Sequence, residues 1–104
     1  MKAVKVTDLY EGKDLLDSEK CELVIVEFQF PGSRKRYYAM VKEGDKSALF
    51  EKAHQGWAQA YLNNKHFVGY QAYYRPGLAQ SLKVFLGQLR EVFQEEIELE
   101  EVKI

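Results

Sequence analysis

The clearest pattern along the chain is the run Cys21-Glu-Leu-Val-Ile-Val-Glu-Phe-Gln-Phe30, whose centre from Leu23 to Val26 is apolar without interruption. An extended segment that is apolar on both faces predicts an interior strand over 21–30, covered on two sides. Pro31-Gly32-Ser33 breaks the run, and residues 35–42 resume as a strand, so the two read as an antiparallel hairpin with a basic tip.

Gly44-Asp45 closes the hairpin, and the Asp45 carboxylate is placed to accept from the first free amides of a helix. That helix, over 46–62, sets Leu49, Phe50, Ala53, Trp57, Ala60 and Tyr61 on one stripe. Asn63-Asn64 suits its end, since Asn tolerates the left-handed conformation. Residues 66–74 read as a third strand. Pro76 keeps Arg75 extended and opens a second helix over 77–94, with Leu78, Leu82, Phe85, Leu86, Leu89 and Phe93 at helical spacing.

Weaker patterns flank these elements. Residues 2–6 alternate, and so do 97–104, with a slip at Glu100-Glu101 that needs a bulge. Asp8 to Ser18 fits a short helix with Leu9, Leu15 and Leu16 inward, although Gly12 weakens it. The expectation is an α+β domain. An antiparallel sheet of three to five strands combines the hairpin 21–30/35–42 with 66–74, and takes 2–6 and 97–104 as further candidates. Two main helices, 46–62 and 77–94, pack on it. The order βαββαβ, followed by a helix and a last strand, permits a ferredoxin-like sheet with its helices on one face. A hairpin-led sheet with two packed helices and frayed ends is the alternative.

The 104 residues, 46% hydrophobic and 30% charged, suit a single globular domain with one core. No apolar run approaches the ~20 residues that span a bilayer, and the first residues lack the pattern of a signal peptide. No membrane partner is expected. A lone cysteine, Cys21, forms no internal bridge, which points to a reducing, cytoplasmic setting. Beside Lys20 its thiol has a possible activating neighbour, but a cysteine opening an apolar strand reads first as a small buried hydrophobe.

No chemistry of the reactive kind stands out. The two histidines, His54 and His66, belong to no nucleophile motif, and the glycines form no phosphate-cradling loop. The His and Cys spacing matches no zinc site, and the acidic residues match no calcium loop. No catalytic residue, metal or cofactor is expected.

Charge placement is more telling than the net charge of −1, which removes bulk electrostatics as an argument for nucleic acid. Between Glu51 and Glu91 there is no Asp or Glu, while Lys52, Lys65, Arg75, Lys83 and Arg90 supply positive charge. Glu91, Glu95, Glu96, Glu98, Glu100 and Glu101 then crowd together. Opposite its apolar stripe the second main helix carries Gln80, Lys83, Gly87, Arg90 and Gln94, where solvent-facing helices usually pair Glu with Lys. Gly87 costs that helix about 1 kcal/mol relative to Ala. Either a partner approaches closely there or Gly87 packs beneath a neighbour in the chain's own core.

These patterns favour a non-catalytic regulatory or adaptor protein that acts by contact with another protein or with itself, as a homodimer. The expected surface is Tyr73, Tyr74 and Arg75 with Gln80, Lys83, Gly87 and Arg90. Strand exchange through Ile97, Leu99, Val102 and Ile104 is a further route to a dimer. The alternative is single-stranded nucleic-acid binding through Arg34, Lys35, Arg36, Tyr37, Tyr70 and Arg75, cations for phosphates and rings for bases. Against it, Ala39 and Val41 occupy positions where RNA-binding sheets present rings, and a basic hairpin tip also serves simply to resist aggregation.

Overall fold

Apolar side chains on both faces of a strand demand two covering layers, and the chain supplies a helix for each. The computed structural model describes residues 1–29, 31–44, 58–60, 67–74 and 81–100. In chain order the elements are β1 (Lys2–Val6), α1 (Leu9–Asp17), β2 (Leu23–Phe28), β3 (Arg36–Lys42), β4 (Ala58–Ala60), β5 (Tyr70–Tyr74), α2 (Leu82–Phe93) and β6 (Glu98–Glu100). The strands form a six-stranded sheet in the order β4-β5-β3-β2-β1-β6.

The fold is α+β, but the sheet is mixed rather than antiparallel. β1 pairs parallel with both β2 and β6, whereas β2–β3, β3–β5 and β5–β4 are antiparallel. The reason lies in the connections. The short connection from β2 to β3 lets β3 fold back antiparallel on β2, while α1 carries the chain from the end of β1 to the start of β2, which leaves those strands parallel.

The two helices among the described residues lie on opposite faces, so they do not support a ferredoxin-like arrangement with both helices on one face. The register Ala3↔Leu23 and Val4↔Val24 aligns alternate residues. Val4, Val6, Val24, Val26 and Met40 pack with Leu16 of α1. Ala3, Leu23, Ile25, Ala39 and Val41 pack with Phe85, Leu86, Leu89 and Phe93 of α2. The central strands are correspondingly buried, with Leu23, Val24 and Ile25 at 0% exposure.

α1 owes its ends to local chemistry. The Asp8 side chain accepts from Tyr10 N at 3.1 Å and caps the first turn. At the other end Glu19 adopts φ 57, with Glu19 N donating to Leu16 O and Lys20 N to Leu15 O, both at 3.1 Å. That is a Schellman turn with Glu where Gly is usual. Gly12, which weakens the sequence pattern, is where the helix meets the sheet. A Cβ there would stand 2.7 Å from Val24 Cγ1 and 3.0 Å from Met40 Cε.

The helix expected over 46–62 does not reach its predicted end, because Ala58–Ala60 is strand β4, aligned with Tyr74 to Ala72. Ala58-Gln59-Ala60 carries no strong preference of its own, and a free sheet edge decides its state. The rest of that segment lies outside the described residues. The strand expected over 66–74 is shorter, Tyr70–Tyr74, because Gly69 turns at φ 91. α2 begins with Ser81, whose Oγ accepts from Val84 N at 3.2 Å, and ends at a left-handed Gln94. Residues 77–80 of the expected helix lie outside the described residues, as do 101–104 of the last strand, including the expected bulge.

Candidate contact surfaces

The hairpin tip presents Arg34, Lys35 and Arg36 to solvent, as its polar sequence requires. Among the described residues, only Lys35 of the three is engaged. Its Nζ lies 3.4 Å from Glu27 Oε1, and Lys5 Nζ lies 3.2 Å from Glu27 Oε2. Burial works to raise the Glu27 carboxyl, but Lys5, the Tyr37 hydroxyl and Lys35 outweigh it, and the group sits below the usual carboxylate range. Burial and then Glu27 push the Tyr37 phenol up in return.

Tyr37 is therefore not an open stacking ring. It is 9% exposed and stacks on Phe85 of α2 with centroids 5.9 Å apart. Tyr70 lies on the opposite face of the sheet, in register with Lys42. Arg36, Tyr37 and Tyr70 stand in one sheet, but alternation sends the two rings to different sides, and Arg34 and Lys35 belong to the connection before β3. Arg75 lies outside the described residues.

Tyr70 belongs to a second cluster at the far end of the sheet. Its hydroxyl donates to Asp17 Oδ1, Lys42 Nζ lies 3.2 Å from the same oxygen, and Lys13 Nζ lies 3.7 Å from Asp17 Oδ2. The Tyr70 hydrogen bond holds the Asp17 carboxyl low, with Lys42 and Lys13 assisting. Burial and then Asp17 push the Tyr70 phenol up to about 12. A phenol moved in that direction is a poorer base or nucleophile at neutral pH, so the cluster is a clamp between α1 and the strands. Beside it, Leu16, Cys21, Glu22, Val41, Lys42, Glu43 and Gly44 line an open cavity of about 310 Å³. Cys21 is 5% exposed and burial pushes its thiol up, away from the reactive thiolate.

The third surface is α2. The contact residues expected from the sequence divide sharply. Tyr73 is a correction: it is 0% exposed, packed with α2 on the face it shares with Ala39, and its hydroxyl donates to Gln71 Oε1 at 3.1 Å, so it offers no open surface. Tyr74 closes β5 opposite Ala58, and its side chain lies outside the described residues, like Arg75 and Gln80. Lys83, Gly87 and Arg90 do lie on the side of α2 away from the core. The Arg90 guanidinium turns aside to donate to Ile97 O at 3.0 Å, which ties it to the turn before β6.

Gly87 has no atom within 4 Å of the place a Cβ would take. Among the described residues, none supplies the neighbour beneath which it would pack. Two neighbours on this face were not foreseen. Val84 is 52% exposed, because the helix turns it opposite to Phe85 and Leu86. Gln88 keeps its side-chain oxygen buried without a hydrogen-bond partner among the described residues. Extending the polar-face spacing by one residue, to 84, 87, 88 and 91, identifies both from sequence.

No three His, Cys, Asp or Glu side chains among the described residues could hold a metal ion together. No helix among the described residues is long and apolar enough to cross a membrane. No family model matches the chain, and neither a curated protein nor a solved structure matches it.

Proposed function

We propose that this chain is a non-catalytic contact protein that works through the outward face of α2 and associates with itself. One observation carries the reading: a glycine stands in mid-helix with open space above it. Gly87 costs about 1 kcal/mol of helix stability and gains no packing from the described residues in return. A close approach from outside supplies the missing reason. Val84, 52% exposed one turn earlier, adds apolar surface to that approach. The lone buried Cys21 favours a reducing compartment, so a cytoplasmic homodimer is the form proposed.

Sedimentation of the purified chain over a wide concentration range tests this. Average mass rises with concentration for the natural chain, and the Gly87→Glu variant stays monomeric with unchanged circular dichroism. A natural chain that remains monomeric throughout overturns the reading.

A further inference from the structure

Gly87 is the midpoint of a self-complementary charge pattern. Along the outward stripe of α2, Lys83 lies four residues before it and Glu91 four residues after it, each displaced by about 6 Å along the helix axis. Both side chains are exposed. Neither enters an ion pair among the described residues, a state Lys83 shares with Lys20, whereas Lys2, Lys5, Lys13, Lys35 and Lys42 are paired.

We infer that α2 packs against α2 of a second copy, antiparallel across a two-fold axis beside Gly87, with Lys83 of each copy set against Glu91 of the other. This rests on the proposed contact face and gives its partner and geometry. A two-fold contact uses the same patch on both copies. With Gly87 on the axis, antiparallel helices bring position 83 opposite position 91 twice, an attraction each time. A parallel pair would set Lys83 on Lys83 and Glu91 on Glu91. The missing Cβ lets the axes approach to about 8 Å, the close end of the usual range. Val84 then faces the methylene stem of the partner's Arg90, whose guanidinium is already held by its own Ile97 O. A single helix pair covers less than the roughly 800 Å² per partner of a standard interface, so the dimer is weak, with Kd between roughly 10 μM and 1 mM.

Charge reversal tests the geometry. Lys83→Glu and Glu91→Lys, each alone, turn both attractions into repulsions and lower the self-association constant about tenfold at low salt. Mixing these two single variants restores association to the natural level, because each carries the charges the other lacks, and the double variant associates like the natural chain. Singles with no effect, or a mixture no stronger than its components, overturn the antiparallel pairing. If Gly87→Glu still blocks association in that case, the contact face stands and only its geometry fails. A natural chain that never associates overturns both.

Discussion

α1 and α2 each carry a glycine in mid-helix, and the two are there for opposite reasons. At Gly12 a Cβ would collide with Val24 and Met40, so the residue is explained by how closely α1 lies on the sheet. At Gly87 a Cβ would meet nothing among the described residues, so the residue has no explanation within them. Both weaken their helices by about the same intrinsic amount. Only the first recovers it as packing. A glycine that costs stability inside a helix is thus informative only once its surroundings are known, and the one left unexplained points outward.

The sharpest way to break this comparison is a large side chain at each position. Gly12→Leu lifts α1 off β2 and β3 and lowers unfolding free energy by about 3 kcal/mol or more, whereas Gly87→Leu leaves it unchanged or raised. Urea unfolding monitored by circular dichroism separates the two, and equal losses would end the contrast. Ala narrows it. Gly12→Ala destabilises by about 1–2 kcal/mol, overpacking partly offset by helix propensity. Gly87→Ala, measured below the dimerisation range, stabilises by up to about 1 kcal/mol. Cap removal should treat the helices alike, Asp8→Ala and Ser81→Ala each costing about 1 kcal/mol. A much smaller loss at Ser81 would show that the start of α2 is held in some other way.

The smallest effect concerns the clamp at the end of α1, which α2 lacks. The Asp17 carboxyl is held below its ordinary 3.8, so its contribution is present above that value and is lost as pH falls through the lowered folded value. The Tyr70 phenol is raised to about 12, so its contribution is complete below pH 10 and disappears as pH rises through about 12. Tyr70→Phe should flatten the stability profile at both extremes. An unchanged profile would show that the clamp contributes nothing.

Much of the scaffold was legible because hydrophobic periodicity reports burial directly. Leu23 to Val26 announced a strand covered on both sides, and the stripe Phe85, Leu86, Leu89, Phe93 announced a buried helix face. Strand direction was not legible, since β1 and β6 pair by crossovers whose geometry no local pattern encodes. Ala58–Ala60 was misread because its three residues fit a helical stripe as well as a strand, and pairing with β5 decided the matter. For the contact surface, Lys83, Gly87 and Arg90 were visible as departures from ordinary helix-face chemistry. Tyr73 was mistaken for surface because an aromatic strand residue gives no sign of which face it takes until the register is known. Tyr37 failed as a stacking ring for the same reason.

Disulfide trapping at position 87 addresses the central claim most directly. In a chain lacking Cys21 through Cys21→Ala, the Gly87→Cys variant should form a covalent dimer quickly under mild oxidation, while Arg36→Cys at the hairpin tip should not. Comparable slow trapping at both positions would contradict the account, because chance collision rather than a defined α2 contact would then bring the copies together.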